Sequence, residues 1–390
     1  MRILHVTPFF KPSWEAGGPP RSVYELARRQ VKKGHQVTVY TTDGFKKRLD
    51  VDKNRPLDVD GIETYYFRNL SLYLAGVLNF TLPYYLPLVA RKKIKEFDII
   101  HIHEHRNFLA VVAHHYAHKH HIPYLLQPRG SAPKLSKNKV KEIFDKITGN
   151  DIVYHSCKIL ATSKMEQDQY KDYFPLVDMD KVELLPNGID LDTYKVLPAE
   201  GQFRSEYNIK KEEKIILYLS RLYYTKGLDI LIQSISEILE DHSLIRLVIA
   251  GPDDHYQAKL EEMISQLKLE DRVIITGPLY GKKKDEAYRD ADIFVLPSQT
   301  ESFGNVVVEA MASYNPVVVT RTCGVSEWLN PHNSVVINYD KLELKRALLD
   351  LINDNDKRIK MSHKAREKVM STFNWDKIVD ELDEIYQECL

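Results

Sequence analysis

The chain has 390 residues, 43% hydrophobic and 28% charged, which is too long for one ordinary core and suits two domains of nearly equal size. Its 55 basic residues balance 55 acidic ones, so bulk charge predicts no nucleic-acid partner. Cys157, Cys323 and Cys389 are widely spaced and fit no metal or redox motif, which predicts free thiols in a reducing, cytoplasmic compartment.

The start is broken too soon by Pro8 to be a secretory signal, and residues 2–10 read as a first strand. A loop over 11–18 closes on Gly17-Gly18. Pro19-Pro20 fits only a first helical turn, so a helix runs from there to about Lys33, where Gly34 ends it, and 35–42 is the next strand. The loop of this βαβ unit lies at the carboxyl edge of the sheet, where ligands bind in such folds. It lacks the Gly-x-Gly-x-x-Gly spacing that lets a backbone approach a dinucleotide, and the lone Asp43 reads as a cap, so an NAD enzyme is disfavoured.

Residues 70–89 are apolar and precede the basic run from Arg91 to Lys95, yet Asn79, Pro83 and Pro87 argue against a spanning helix. The stretch is either an irregular connection over a core or an interfacial patch with a basic rim. The second alternative would bring the first domain peripherally onto lipid headgroups at the inner face of a membrane.

Strands at 62–68, 98–103, 123–127, 159–162 and 182–185, with a helix at 108–120, continue the alternation of a parallel doubly wound sheet. Eight of the 15 histidines fall between His101 and His121. His101, His103 and His105 alternate on a strand, while His114, His118 and His121 share a helix face. No acid stands at His-Glu-x-x-His spacing, so a solvated helix face plus one or two site histidines at the strand's end accounts for them better than zinc. Lys134, Lys137, Lys139, Lys141 and Lys146 make the stretch after Arg129 basic, a face either solvated or turned to an anionic acceptor.

A turn at 185–190 leads into a polar linker over 191–213. The pattern then restarts with strand 215–220, loop 221–227, helix 228–239, strand 245–250 before Gly251, a helix near 257–267, and strand 273–276 before Gly277. Strand 292–297 precedes the segment Glu301-Ser-Phe-Gly-Asn-Val-Val-Val-Glu309, whose helix begins near Val306. The amides of Phe303, Gly304 and Asn305 are helix N-terminal donors suited to a phosphate. Arg221 and Lys226, with Gly227 opening a helix, lie on another loop at the same sheet edge and favour a diphosphate. Acids beside an anion site make sense when the ligand also carries hydroxyls, as a nucleotide sugar does. Residues 373–386 form an amphipathic helix, N-capped by Asn374, whose stripe of Trp375, Ile378, Val379, Leu382 and Tyr386 must pack on something.

One ordered series spans nearly the whole chain: Gly17-Gly18, Asp98-Ile-Ile-His-Ile-His103, Pro186-Asn-Gly-Ile-Asp190, Ser220-Arg-Leu, Lys226-Gly-Leu-Asp229, residues 292–298, Glu301-x7-Glu309 and the terminal Trp375 helix. It resembles glycosyltransferase family 4, retaining enzymes of the GT-B type. The resemblance implies an α/β fold of two Rossmann-like, doubly wound parallel-sheet domains facing a cleft. Residues 1–190 would be the acceptor domain, 191–213 the linker and 214–371 the donor domain, with the terminal helix, 372–390, crossing back to the first.

The resemblance further implies metal-independent, cofactor-free transfer of a sugar from a nucleoside diphosphate donor, a UDP-sugar by preference. The acceptor would be a glycan or lipid-linked sugar in surface polysaccharide or glycoconjugate synthesis, and anomeric configuration would be retained. By similarity Arg221 and Lys226 would neutralise the departing diphosphate in place of a metal. Glu301 would hold donor-sugar hydroxyls, the amides of Phe303, Gly304, Asn305 and Val306 the phosphates, and Glu309 the ribose. Residues after Gly251 and Gly277 would flank the base, and Gly17 and Gly18 would line the substrate. Many members carry a histidine after the strand at 123–127, where this chain reads Gln127-Pro-Arg129-Gly-Ser. Arg129 stays protonated and cannot be a base, so it either binds an anionic group or orients the acceptor, and His103 becomes the candidate site histidine. A nucleotide-sugar epimerase of the same architecture and a non-catalytic nucleotide-sugar-binding protein are the alternatives.

Overall fold

The computed structural model describes residues 1–78, 81–131 and 138–390, which form two α/β units. Asn79, Lys134 and Lys137 lie outside the described residues. Unit 1 comprises Met1–Gly188 and Trp375–Leu390, and unit 2 comprises Ile189–Asn374.

Unit 1 holds an eight-stranded sheet of β1 (Arg2–Val6), β2 (Gln36–Thr42), β3 (Pro56–Val59), β4 (Ile62–Phe67), β5 (Ile99–His103), β6 (Tyr124–Gln127), β7 (Lys158–Ala161) and β8 (Val182–Leu184). Their order is β3-β4-β2-β1-β5-β6-β7-β8, parallel throughout except for β3, which runs antiparallel on β4 at the edge. β1 stops at Val6 instead of continuing to residue 10, because Pro8 has no N–H to give a ladder. The central strands are covered on both faces, which is why they read as unbroken apolar runs.

The two-residue period divides those faces. Leu4, Val6, Ile100 and Ile102 enter one core, while Ile3 and Ile99 enter another beneath the helix Trp375–Cys389. That helix buries Trp375, Ile378, Val379, Leu382 and Tyr386 against strands of unit 1, the stripe expected from its sequence. Full burial of such side chains contributes roughly 1.5–3 kcal/mol each. Gly188 fixes its entry, since a Cβ there would lie 2.5 Å from the Trp375 ring.

The returning helix also overturns the expectation of free thiols. Cys389 is joined by a disulfide to Cys157, 232 residues away, and only Cys323 stays free, buried in unit 2. Cysteine spacing hides this pair because a tertiary crossing creates it. The thiol count therefore no longer argues for a reducing compartment.

Unit 2 holds β9 (Lys214–Leu219), β10 (Ile245–Ala250), β11 (Val273–Gly277), β12 (Ile293–Leu296), β13 (Val317–Thr320) and β14 (Val335–Ile337), all parallel in the order β11-β10-β9-β12-β13-β14. Residues 191–213 belong to this unit. Tyr194, Phe203 and Ile209 are buried in its core, and Asp290 accepts hydrogen bonds from the Gly201 and Arg204 amides at 2.6 and 3.0 Å.

In each sheet the strand order turns back beside the first strand. The reversal falls between β1 and β5 in unit 1 and between β9 and β12 in unit 2. Loops leaving the carboxyl ends of such paired strands diverge and leave a crevice where ligands bind.

Candidate functional site

In unit 2 the loops after β9 and β12 carry the expected donor residues. Gly227 has φ +70°, and a Cβ on it would lie 1.8 Å from the Pro297 carbonyl oxygen, so the two loops meet backbone to backbone and only glycine fits. The Gln299 amide donates to the Thr225 carbonyl at 2.8 Å alongside. This contact brings Lys226 Nζ to 2.5 Å from Glu301 Oε2, with 8% and 23% of the two side chains exposed. Behind Glu301, residues 322–325 act as a strap. Glu301 N donates to the Thr322 carbonyl, Gly324 N to the Glu301 carbonyl and Val325 N to the Phe303 carbonyl.

The helix Asn305–Ala312 begins beside this pair. Gly304, at φ +94°, is its N-cap and supplies no side-chain acceptor. A helix's first turn leaves N–H groups without intrahelical partners and carries partial positive charge, so the loop of Phe303, Gly304, Asn305 and Val306 suits an anion. A Cβ on Gly304 would lie 2.8 Å from Cys323 Sγ, which keeps this turn tight.

Arg221 and Glu309 lie on the expected elements but make other contacts. Arg221 is 62% exposed and reaches Asp254 at 2.9 Å. Glu309 accepts from Lys284 Nζ at 2.9 Å and from the Tyr288 hydroxyl at 2.9 Å, so the two acids of the Glu301–Glu309 segment hold different partners. Lys284 escaped sequence reading because it ends the run Lys282-Lys283-Lys284, which looks like a solvated face. In the fold, Lys282 pairs with Glu286, Lys283 with Glu206, and only Lys284 with Glu309. Gly251 N donates to the Gly277 carbonyl at 2.9 Å, joining the ends of β10 and β11, and a Cβ on Gly251 would lie 1.8 Å from the Ser220 oxygen.

In unit 1, Gly17 caps the helix Gly18–Lys32 at φ +105°, with Pro19-Pro20 in its first turn as expected. His5 of β1 stands opposite His101 of β5, and His5, His101 and His103 form one buried cluster. Arg129 settles their protonation. A guanidinium cannot accept, so Arg129 Nε donates to His103 Nδ1 at 3.2 Å. His103 must then carry its proton on Nε2 and donate to His5 Nδ1 at 3.0 Å, and His5 Nε2 donates to Gln30 Oε1 at 2.7 Å. Tyr386 of the terminal helix lies 2.8 Å from His101 Nδ1. Burial drives the His5 pKa down to about 4 and holds His101 and His103 well below the ordinary histidine range.

This fixed polarity has a consequence. His103 is 1% exposed with both ring nitrogens committed, so the expected site histidine has no free lone pair to act as a base. His5, His101 and His103 also lie close enough together to hold a metal ion, and here the ring nitrogens of His5 and His103 are engaged by each other, by Gln30 and by Arg129. The other histidines regroup. His121 leaves the helix face at φ +55°, and His155 joins His114 and His118, with ring centroids 5.0–6.0 Å apart.

Known proteins bear on this geometry. Residues 16–193 match the pattern described as Glycosyltransferase Family 4, and residues 200–368 that of Glycosyl transferases group 1. The chain is 27% identical to an uncharacterized glycosyltransferase of Methanocaldococcus jannaschii, covering 99% of this chain and 98% of the relative. It is 25% identical to a D-inositol 3-phosphate glycosyltransferase of Xylanimonas cellulosilytica, covering 100% and 96%. Its fold is similar to that of Anabaena HepE, solved with UDP and glucose, at a TM-score of 0.78 and 19% identity over the full length of both chains. Among the described residues, no helix is long and apolar enough to cross a membrane.

Proposed function

The chain belongs to the family-4-like glycosyltransferases of the GT-B type, and from that premise we infer that it transfers a sugar from a nucleoside diphosphate donor, a UDP-sugar by preference, to a hydroxyl of a glycan or lipid-linked acceptor. The observation that carries this reading is the Lys226–Glu301 pair beside the first turn of Asn305–Ala312, whose N-cap is Gly304. When a donor enters, Lys226 exchanges its carboxylate partner for diphosphate oxygens, and the released Glu301 accepts hydrogen bonds from donor-sugar hydroxyls.

As the bond from the anomeric carbon to the diphosphate breaks, negative charge grows on the departing oxygen. Lys226, Arg221 and the helix N-terminus meet it, an electrostatic contribution worth several kcal/mol and supplied here without a metal. The acceptor oxygen bonds to the anomeric carbon on the face the diphosphate leaves. The departing phosphate oxygen takes the acceptor's proton, and because the new bond forms on the face the diphosphate leaves, configuration is retained.

UDP is favoured because HepE was solved with it, and a phosphorylated polyol is one acceptor class because the D-inositol 3-phosphate enzyme is a full-length relative. Val140, Ile143 and Ile147 are exposed at helical spacing next to Lys139 and Lys146, which supports contact of unit 1 with an anionic lipid surface. The test is thermal denaturation against UDP, GDP and ADP, followed by acceptor-dependent UDP release. A nucleotide at about 100 times its dissociation constant should stabilise by roughly 2.7 kcal/mol. The absence of a shift with every nucleotide would remove the donor site. Nucleotide-sugar conversion without an acceptor would favour an epimerase.

A further inference from the structure

Arg129 is unlike other enclosed arginines of unit 1. Arg29 holds Glu25 and Asp376, Arg48 holds Asp43, and Arg106 grips both oxygens of Asp145 at 2.9 Å. Arg129 is half-buried after β6, beside the switch point, and its three bonds go to neutral acceptors: His103 Nδ1 at 3.2 Å, Asn187 Oδ1 at 3.2 Å and Gln127 Oε1 at 2.8 Å. Among the described residues no carboxylate lies within ion-pair distance of it. The acids that act on it from farther off are Glu104, whose carboxyl burial pushes up to about 7, and Glu166, which is committed to the Gly130 amide and to the Thr162 amide and hydroxyl. A partly enclosed cation whose direct partners are all neutral keeps its charge available for an anion.

The geometry is prepared for that anion. Three of a guanidinium's five N–H groups are occupied, which leaves one each on Nη1 and Nη2 without a protein partner among the described residues. Such a pair matches two oxygens of a phosphate or carboxylate. The fork cannot swing freely, because the His103–His5–Gln30 chain has a single polarity and ends on the buried helix Gly18–Lys32. The backbone is unusual here as well. Arg129 and, at the end of the neighbouring strand, Glu104 have φ +50° and +64°, left-handed conformations uncommon for non-glycine residues.

Resting on the glycosyltransferase reading, we propose that Arg129 is an anion receptor that sets acceptor specificity: its guanidinium binds a phosphate or carboxylate carried by the acceptor molecule. The histidine chain behind it is a positioning device that points the fork, and takes no part as a base. Replacing the expected histidine by arginine thereby exchanges a group that handles a proton for one that selects an anionic acceptor.

The test uses the full chain saturated with UDP, so that Lys226 and its loop are already filled. Inorganic phosphate, glucose 6-phosphate and glucose are titrated by calorimetry and by melting. Both anions should bind and raise the melting temperature, and glucose should do neither. Arg129→Gln should lose at least tenfold in affinity for both anions while keeping its affinity for UDP, which separates failure of this inference from failure of the donor site. Without anions the variant should lose less stability than an ion-paired arginine would, because the loss of a cation with no carboxylate partner offsets the donors withdrawn from His103, Asn187 and Gln127. Arg129→Lys, which keeps charge without the fork, should fall between the two and carries the comparison should the glutamine variant not fold. Equal anion affinity in wild type and variant, or no anion binding to the UDP-saturated wild type, would overturn the proposal. Glucose 6-phosphate binding no tighter than phosphate would assign the receptor to free phosphate and overturn its role in acceptor choice.

Discussion

Lys226→Met and Glu301→Gln should have opposite effects on UDP. At 2.5 Å and an effective dielectric constant of about 20, the pair's gross attraction is about 7 kcal/mol, most of it offset by desolvation of two largely enclosed groups. Removing one partner of a buried pair costs about 3–5 kcal/mol. With Glu301 23% exposed, water can reach the orphaned acid, so the cost of Lys226→Met should fall to about 2–3 kcal/mol. The double variant leaves no orphan and should recover most of that loss.

Ligand binding separates the residues further. A hydrogen bond to a charged group is worth about 1.5–3 kcal/mol, so Lys226→Met should weaken UDP by about 10- to 150-fold in calorimetry. Glu301→Gln removes the carboxylate that competes with UDP for Lys226, so it should bind UDP at least as well as the wild type while losing turnover of the sugar donor. The double variant, restored in stability, should still bind UDP poorly. If Lys226→Met binds UDP as the wild type does, the lysine serves only the fold. If Glu301→Gln weakens UDP as much as Lys226→Met, the exchange of partners is wrong.

Gly227→Ala and Gly251→Ala each place a carbon 1.8 Å from a carbonyl oxygen, so either should lose more than about 2 kcal/mol in denaturant unfolding, and a loss under 1 kcal/mol would refute the backbone contact. His5, His101 and His103 have folded pKa values below their unfolded value near 6.5, so the unfolded chain binds protons first as pH falls. Stability contributed by the neutral cluster should be intact above pH 6.5 and decline steadily down to about pH 4. A His5→Gln variant should show a shallower decline in pH-dependent melting, and an unchanged slope would count against the buried neutral cluster. Ile143→Glu with Ile147→Glu should reduce flotation with anionic vesicles at least fivefold without changing UDP binding, and undiminished flotation would exclude that stripe as the contact.

Much of this architecture is legible locally. Parallel strands buried on both faces announce themselves as apolar runs, and Pro19-Pro20 and Gly227 mark helix starts to within a residue or two. β3 is harder to read, because an edge strand whose residues alternate between exposed and half-buried needs little apolar character. The Lys226–Glu301 pair follows from two loops at one sheet edge. Glu309 is different, since its partner Lys284 sits among lysines that only packing tells apart. The same holds for Arg129: its sequence context forbids a base, but that its acceptors are all neutral depends on Asn187, 58 residues on. Local chemistry fixes which residues line a switch point, and partner choice is decided by tertiary neighbours.

The bond between Cys157 and Cys389 makes the intervening backbone a ring, and all of unit 2 lies on that ring. A ring is opened by one break but divided only by two. A protease that cuts once anywhere between the two cysteines would therefore leave a single covalent molecule of full mass, falling into two pieces only when the disulfide is reduced. Domain release, which one cut achieves in an ordinary two-domain chain, here needs either a second cut or an electron donor.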